Sequence, residues 1–469
     1  MVKQFSMLAL AGLLALPVVA AAGVGPQSSD LDRKIQDLSA QLDQLKSQMA
    51  AQAEANAATN AKVGALDNTV ASFSDRAEDW DLAARFKLNG DFRSRLDYYY
   101  AEATDGTDYL NETSFTNRFR LNMRVGVTEN VEFKGRLAMY KAWGEAPLLI
   151  QDGFPFDGNS TRTPTNDNAL RVDRAFVNYN NIGGAPIWFS IGRRPTTDGN
   201  PANIRMNSDE RSGTPLIMDY AFDGISMGYA YKWAGDIGDG RVRVCYGRGF
   251  EDGLQNKDGQ LGNINGIDDT DFMGMSWDIL QQGDRFLYAQ SFLAANIPNF
   301  AGDNNGNILH SGATYMDKIA GLNYFVAGGW SRTYPNDNML LGTEDKKNGY
   351  HAHVGLRYDI DPAGLKLGAE WNYGSKNWIG MTPGHDDLYQ SKIAARGNVY
   401  EVYGIYDLPM GEAISKYADT FMRLGYQRYE YEYSGSNNWL APSFNLDDNE
   451  NSIDIRKANQ VYLTLEATF

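Results

Sequence analysis

Long stretches of strict alternation between apolar and charged residues constrain the fold of this chain most strongly. Between residues 85 and 98, the apolar side chains fall on one side of an extended strand and the charged ones on the other. Residues 118–127 and 131–139 repeat this pattern, with arginines on the polar side. Such runs exceed the average soluble strand of about 5–6 residues and are long enough to cross a bilayer at a tilt. A charged face shared by three strands indicates a water-filled lumen, with the apolar face towards lipid.

The connections between the predicted strands alternate in length. Short turns are predicted at 128–130, 180–186, 233–240, 281–284 and 360–364. Long polar stretches lie at 101–114, 141–168, 193–221, 251–270, 297–312, 374–397 and 432–456. This pattern is typical of membrane barrels. The sequence therefore predicts an all-β transmembrane antiparallel barrel over residues 80–469. We expect about 16 strands, within a range of 14–18, because the region 313–345 does not divide clearly.

The final strand also alternates, and it places Val461, Leu463, Leu465 and Phe469 on one face. A free edge strand would invite aggregation, and pairing it with the first strand of a barrel removes that edge. This ending resembles the C-terminal signature of bacterial outer-membrane barrels, which is read by the barrel-assembly machinery. The resemblance implies that Phe469 takes part in barrel closure and that this machinery binds the last strand. An ordinary edge strand that ends in phenylalanine is the alternative.

The N-terminal residues 1–22 are typical of a secretory signal peptide. Lys3 precedes a short apolar run, and three alanines supply a cleavage site. A hydrophobic content of 43% and a mean hydropathy of -0.46 exclude a helical membrane protein and are compatible with a barrel. The single Cys245 cannot form an intramolecular disulfide. The net charge is -16 and no basic segment stands out, so no nucleic-acid partner is indicated.

Residues 31–73 predict a coiled coil, because core positions recur at alternating spacings of four and three residues. We assign residues 23–79 to this periplasmic coiled coil and a charged linker. Gln52, Asn56 and Thr59 fill three successive core layers, where they would fix register and oligomer number at a cost in stability. The alternative is a single solvated helix lying along the barrel. The coiled coil is also a candidate binding site for peptidoglycan or a periplasmic partner.

The order of signal peptide, coiled coil and barrel resembles the trimeric porins of Gram-negative bacteria that carry an N-terminal coiled coil, such as phosphate- and sugar-selective porins. Residues 173–177 and 190–197 are similar to an outer-membrane family of unassigned function found mainly in proteobacteria. These resemblances imply a homotrimer in contact with outer-membrane lipid. They imply a porin for passive diffusion of small hydrophilic solutes or ions, without enzymatic activity, cofactor or metal.

The porin resemblance also implies that the long loop after the fifth strand folds inward and constricts the channel. In this chain the loop is 193–221, and its charged residues are Arg193, Arg194, Asp198, Arg205, Asp209, Glu210 and Arg211. Charged rings at a narrow point set ion preference. A basic pore wall would face the loop, consisting of Arg85, Arg93, Arg95, Arg118, Arg120, Arg124 and Arg136. These arginines could instead form structural ion pairs. The arginines favour anions, whereas the acidic loops favour cations at the mouth, so the sign of the selectivity stays open.

Two other functions are weighed against a channel. The barrel could be a scaffold, either a sheath around a partner such as a cytochrome or a tether in the envelope. The chain has no Cys-x-x-Cys-His haem motif of its own. An enzyme is the second alternative, since His351 and His353 could ligate a metal. They lack an evident third ligand, so residues of a wet lumen wall are the favoured interpretation.

Overall fold

The computed structural model describes residues 28–143, 170–194, 199–208, 222–250, 269–298, 304–337, 339–360, 362–382, 387–389, 391–408, 418–436, 438–448 and 452–469. Within the first helix, side chains are described only at residues 33–70 and 85. The chain divides into two compact units, Met1–Asp81 and Leu82–Phe469. The predicted signal peptide lies outside the described residues.

The first helix, α1 (Ser28–Arg85), is continuous over 58 residues. It also includes the linker expected at 75–79, because this segment contains arginine, alanine and glutamate, which are good or acceptable helix formers, and neither proline nor glycine ends the helix there. The apolar stripe of α1 is uncovered, and Leu38 and Leu66 are each 64% exposed. Among the described residues, no helix combines the length and the apolar character needed to cross a membrane.

The described part of the second unit contains sixteen strands and one short α-helix. The strands are β1 (Phe86–Ala103), β2 (Asp108–Gly126), β3 (Val131–Ala142), β4 (Arg171–Tyr179), β5 (Ile187–Arg194), β6 (Phe222–Lys232), β7 (Asp239–Phe250), β8 (Thr270–Gln282), β9 (Arg285–Ala295), β10 (Gly306–Ile319), β11 (Leu322–Pro335), β12 (Asn348–Ile360), β13 (Leu365–Gly374), β14 (Gly397–Asp407), β15 (Asp419–Tyr431) and β16 (Ile455–Thr468). The helix α2 (Ala202–Met206) follows β5. Short 3-10 turns lie at Ile182–Gly184, Gly235–Ile237, Lys392–Ala394 and Leu446–Asp448.

Each strand pairs antiparallel with its neighbours in sequence, and β1 pairs with β16, so the sheet is a closed barrel. The predicted fold class is thereby confirmed. The closure extends to the last residue, because Gly90 N–H donates to the Phe469 carbonyl at 2.7 Å and Phe469 N–H donates to the Gly90 carbonyl at 2.9 Å. Short turns join strands at the end of the barrel where β1 begins and β16 finishes. We call this the turn end and the opposite one the loop end.

Two regions differ from the strand prediction. The unclear region 313–345 contains parts of β10 and β11, which are joined at Ala320 and Gly321 with φ of 49° and 84°. Positive φ at both positions is characteristic of a type I′ hairpin turn, but alanine in the first position gives no sequence signal for it. The predicted loop 101–114 is mostly strand, and Gly106 (φ 82°) lies in a tight turn between β1 and β2. Strands that extend beyond the bilayer do not need an apolar face, so hydropathy underestimates their length.

Candidate functional site

The inner face of the barrel is polar and the outer face is apolar. In β1, Arg95 and Asp97 are buried on the inside, whereas Phe92 and Leu96 are exposed on the outside. This is the alternation predicted for a transmembrane barrel, with the polar set inside. The lumen is therefore lined by polar and charged side chains.

Ion pairs occupy much of the predicted arginine wall on β1 and β2. Arg118 bridges two carboxylates, with Nη2 2.9 Å from Asp91 Oδ1 and 2.5 Å from Glu466 Oε1. Arg120 Nε lies 2.7 Å from the other oxygen of Asp91. Glu466 belongs to β16, so this cluster also connects the first and last strands of the closed barrel. These arginines are buried and form ion pairs with neighbouring wall residues, which agrees with the alternative that the wall arginines form structural ion pairs.

Other wall arginines are paired in the same way. Arg95 Nη2 lies 2.7 Å from Asp97 Oδ1 on the same strand. Arg136 of β3 pairs with Asp173 of β4, and both side chains are buried. Removing one partner of a buried pair leaves an uncompensated charge, which costs about 3–5 kcal/mol. This part of the wall therefore contributes to barrel stability.

The remaining predicted wall residues have three different environments. Arg93 is buried inside β1. Arg124 pairs with Glu132 at 2.7 Å, but its side chain is 59% exposed. Arg85 is not a wall residue: it is the exposed last residue of α1, because the helix continues past the predicted start of the first strand.

The loop after β5 enters the lumen. Residues 200–206, which include α2, are buried. The carbonyl of Ile204 accepts a hydrogen bond from Arg357 Nη1 of β12 at 2.6 Å, and the Arg205 carbonyl accepts one from Arg423 Nη1 of β15 at 2.7 Å. A helix of this length has little stability alone, and its last carbonyls need outside donors. Wall arginines supply these donors and hold α2 against β12–β15.

The C-terminal end of α2 is held by a further pair of wall contacts. Asn207 adopts a left-handed conformation with φ of 51° and ends the helix. Its side-chain oxygen accepts a hydrogen bond from Lys366 Nζ at 2.7 Å, and its amide donates to Asp407 Oδ1 at 3.1 Å. Lys366 and Asp407 lie at the turn-end sides of β13 and β14. The helix is therefore fixed at both its carbonyls and its cap.

The described parts of a second loop, 375–396 between β13 and β14, also fold inward, and residues 387–389 and 391–396 lie next to α2. Arg205 Nη1 lies 2.9 Å from Asp387 Oδ1 and 3.2 Å from Glu401 Oε2 of β14. Lys392 of the second loop pairs with both Glu401 and Glu370 of β13. We call Arg205, Lys392, Asp387, Glu401 and Glu370 the loop latch. All five side chains are buried, so the latch is a dry charged cluster between two loops and the wall.

Neutral and cationic neighbours form further hydrogen bonds with the latch residues. Tyr462 donates from its hydroxyl to Glu401 Oε1 at 2.6 Å, and Gln427 Nε2 donates to Asp387 Oδ1 at 2.9 Å. With Arg423, which binds the Arg205 carbonyl, three cations balance three carboxylates. Burial by itself would raise the pKa of Asp387, but the positive charges of Arg205 and Lys392 lower this pKa to about 2. The Asp387 carboxyl is therefore ionised at neutral pH.

Two further loops at the loop end interlock with the second loop. Arg396 is fully buried and donates to the carbonyls of Trp378 at 2.9 Å, Ser434 at 3.0 Å and Asn438 at 2.9 Å. A buried apolar cluster includes residues of these loops and of β8–β10, and it consists of Phe272, Phe292, Ala294, Ile297, Ile308, Leu340, Leu341, Ile379, Met381 and Trp439. The stretches 374–397 and 432–456, predicted as polar outer loops, thus contain a hydrophobic core at the loop end.

Of the other predicted constriction residues, the two that the structure describes do not join the latch. Arg193 and Arg194 lie in β5, and only Arg194 Nη1 reaches the inward-facing Ser226, at 2.6 Å. Arg193 faces the opposite side and lies 3.7 Å from Asp223. The remaining four lie outside the described residues, namely Asp198, Asp209, Glu210 and Arg211. Of the three described members of the predicted set, the structure brings Arg205 into contact with the wall of β12–β15.

The two histidines considered as metal ligands are packed inside the barrel. His351 stacks on Trp378 with ring centroids 4.9 Å apart, and His353 Nε2 lies 3.1 Å from Glu370 Oε2. Among the described residues, no group of three or more His, Cys, Asp and Glu side chains is arranged to hold a metal ion. His351 packs against the inward loop and His353 adjoins the latch.

Sequence reasoning missed most of the latch. Glu370 and Glu401 could have been found, because each occupies the inward position of a predicted strand. Asp387 and Lys392 had no comparable signal, since their loop has no periodicity. The predicted register residues Gln52, Asn56 and Thr59 lie on α1, where all three are exposed in the single chain.

The fold and the lumen define a closed, sixteen-stranded antiparallel barrel of the membrane type, with a polar and partly filled interior. Residues 108–469 match the profile of a family described as "Protein of unknown function (DUF3373)". This match covers most of the sequence, and the chain belongs to that family. A search of curated protein sequences found no match.

Solved structures with similar folds include several outer-membrane proteins. OmpF of Salmonella typhi, in complex with daunomycin, is 12% identical with a TM-score of 0.47, over 82% of this chain and 98% of that chain. An anion-selective porin from Comamonas acidovorans is 9% identical with a TM-score of 0.47, over 82% and 99%. The trimer form of OmpT from Vibrio cholerae is 13% identical with a TM-score of 0.40, over 82% and 99%. The closed barrel itself is established by the pairing of β1 with β16.

Proposed function

We propose that this protein is an outer-membrane porin, a channel for passive diffusion of small hydrophilic solutes or ions, narrowed by its own loops. The observation that carries this proposal is the loop latch, which fixes α2 and the loop 375–396 to the inner wall of a closed barrel. A sixteen-stranded barrel is wide enough for an aqueous channel. Rigid charged loops inside it would reduce the pore to a size that selects solutes.

The physical basis of selection is the width and electrostatic field of the remaining passage. The latch and the adjoining Arg423 together contribute little net field, because their three cations balance three carboxylates. Its main effect is steric: it holds backbone and side chains in the lumen. Charge selectivity would therefore arise from wall residues that face the remaining space without a carboxylate partner. No chemical step is involved.

The proposed assembly is a homotrimer with α1 as a periplasmic coiled coil. Supporting this, the apolar stripe of α1 is uncovered in one chain, and Leu38, Leu45 and Leu66 are all at least 60% exposed. A stripe at coiled-coil spacing buries itself against copies of the same helix. Contact with outer-membrane lipid would involve the exposed apolar outer face of the barrel. Binding of the assembly machinery through β16, and of peptidoglycan or another periplasmic partner through α1, belongs to the same proposal.

The test is single-channel conductance of the purified full-length protein in planar bilayers under a salt gradient. A porin trimer gives conducting steps in groups of three, and the reversal potential gives the sign of its selectivity. A folded barrel without conductance would overturn the proposal. The sheath alternative predicts haem that co-purifies with the protein. Described loops already fill the lumen beside β12–β15, which leaves less room for a partner protein there.

A further inference from the structure

The inner wall of β5–β7 carries two arginines that stand apart from the ion-paired clusters. Arg194 of β5 donates from Nη1 to Ser226 Oγ at 2.6 Å, and its guanidinium lies 5.0 Å from the ring centre of Phe176. Arg243 of β7 lies near enough for its positive charge to act on Arg194. Within the described part of the chain, neither guanidinium forms an ion pair with a carboxylate.

Strand register explains why the two arginines converge. Ser226 of β6 pairs with Cys245 of β7, and Arg243 lies two residues from Cys245 on the same face. Val244, between them, is 57% exposed on the outer side, so Arg243 and Cys245 both face inward. Arg194 reaches the same place through Ser226. All three strands thus bring polar or charged groups to one part of the inner wall.

The local charge balance is positive. Among the described residues, the carboxylate that acts on Arg243 is Asp278 of β8, which is already paired with Arg241, and Arg243 also hydrogen-bonds to Tyr288 of β9. Among the described residues here, Arg194, Arg241 and Arg243 thus outnumber the one carboxylate, that of Asp278. The loop latch together with Arg423, in contrast, has balanced charges. Two neighbouring guanidiniums that form no ion pair with a carboxylate in the described part of the chain, each with several N–H donors, are suited to an oxyanion.

A second observation points to a ligand at this place. Ser190 of β5 pairs across the strands with Ser226, and its side chain is fully buried. Its hydroxyl has no hydrogen-bond partner among the described residues. A buried polar group without a partner in a protein usually indicates a missing water, ion or ligand. Here it adjoins the hydroxyl that Arg194 already uses.

The position also fits a passage through the barrel. In the closed order of sixteen strands, β6 lies eight strands from β14 and so faces it across the lumen. The hydrogen bonds from α2 run to β12–β15. The wall of β5–β7 is therefore opposite the strands that hydrogen-bond α2, while Ile204 of α2 packs on the intervening strands against Phe286 and Tyr288 of β9. Both arginines are half-buried, so solvent reaches part of each side chain.

We propose that Arg194 and Arg243 form a binding subsite for small oxyanions, such as carboxylates, on the lumenal wall of β5–β7. Ser226 positions the Arg194 guanidinium, and the Phe176 ring supports it from the other side. An anion bound there would neutralise part of the excess positive charge. This subsite rests on the proposed channel function and supplies the anion preference that the balanced latch lacks.

Cys245 allows a test with the native chain, because it is the single cysteine in the sequence and lies beside the two arginines. The purified protein in detergent is treated with an anionic and with a cationic methanethiosulfonate, and each rate is divided by the rate with a free thiol. We expect the anionic reagent to react faster, on the order of tenfold. Inorganic sulfate should slow this reaction, whereas sodium chloride of equal ionic strength should slow it less.

Variants distinguish anion binding at the two arginines from a general effect of the protein's charge on the reaction rates. The double variant with Arg194→Gln and Arg243→Gln should lose both the rate preference and the sulfate protection. Arg428→Gln is the matched control, since Arg428 pairs with Glu430 and is 42% exposed, and it should keep both. Arg194→Lys should keep the rate preference but lose most of the sulfate protection, because lysine lacks the planar fork of donors.

Several outcomes would overturn the subsite. They are equal rates for the two reagents, faster reaction with the cationic one, no modification by either, or no protection by sulfate. If the double variant does not fold, the native-chain rates and sulfate protection still decide. The labelling rates do not depend on conductance, so the two proposals can fail separately. A folded barrel that does not conduct but reacts faster with the anionic reagent would contradict only the channel function. A barrel that conducts but reacts equally fast with both reagents would contradict only the subsite.

Discussion

Arg205 and Asp387 form a buried ion pair between two loops that fold into the same lumen, with 2.9 Å between Nη1 and Oδ1. Arg205 follows β5 and Asp387 follows β13, so the pair joins segments from distant parts of the sequence. Glu401 of β14 shares the same guanidinium nitrogen at 3.2 Å. The two loops are therefore fixed to each other and to the wall by one guanidinium.

Arg205→Gln should increase single-channel conductance. The substitution leaves Asp387 and Glu401 with less compensation, and losing one partner of a buried pair costs about 3–5 kcal/mol. That cost is large enough to release α2 from the wall without unfolding the closed barrel. The measurement is conductance in planar bilayers. Arg456→Gln is the control, because Arg456 pairs with Asp447 at an exposed site. Unchanged conductance with Arg205→Gln would contradict a constricting role of the latch.

The latch should resist acid until the pH falls well below neutral. The pKa of Asp387 in the folded protein is about 2, below the ordinary value of 3.8. A lowered pKa means that the charge stabilises the folded loops above about pH 4 and that this contribution is lost towards pH 2. Conductance should therefore stay constant from pH 7 to about 4 and rise below that.

Asp387→Asn provides the control for this pH dependence. Its side chain cannot ionise, so the change in conductance between pH 4 and 2 should be smaller than in the native protein. A transition of the native protein centred near pH 6 would contradict the assignment to Asp387.

Gly90→Ala should reduce the yield of folded barrel. A Cβ atom at Gly90 would lie 2.5 Å from the Arg120 carbonyl oxygen and 2.8 Å from Phe469 Cζ. The ring of the last residue therefore occupies the space that a side chain would need, and overpacking of this kind typically costs about 1–3 kcal/mol. The folded fraction is measured by heat-modifiable migration in gels. Gly404→Ala is the matched control, since its Cβ would meet only Leu367 at 3.6 Å. Equal yields of both variants would contradict tight closure at Gly90.

Deleting residues 26–75 should leave a folded barrel but weaken the trimer. The closed sheet is formed within Leu82–Phe469, so its strand pairing does not need the deleted part of α1. The exposed apolar stripe of α1 would no longer bury itself against other copies. Oligomeric state is measured in native gels as detergent concentration rises. An oligomer as resistant as the native one would contradict a role of α1 in assembly.

The position of the latch could be predicted only in part. Inward folding of the loop after β5 was an expectation from resemblance, and Arg205 was among the residues named for it. The residues that hold it could not be inferred, because Asp387 is 182 positions away and its loop has no periodic pattern. The arginine wall illustrates the same limit. Its arginines were identified from alternation, whereas their partners Glu466 and Asp173 depend on strand register.

The sequence by itself determined the barrel and the helix, because period-two alternation and four-three spacing are local properties of the chain. It also indicated closure, since the last strand has one apolar face and ends at Phe469. Only the tertiary structure decided what fills the lumen. Burial of α2 and of the described parts of the loop 375–396 depends on polar and charged side chains of β12–β16 that meet in three dimensions. Contacts between residues so distant in sequence produce no periodic pattern that the sequence could show. The turn at Ala320 and Gly321 was also decided by the tertiary structure. The pairing of β10 with β11 imposes a positive φ on Ala320, and alanine in a sequence does not predict such a conformation.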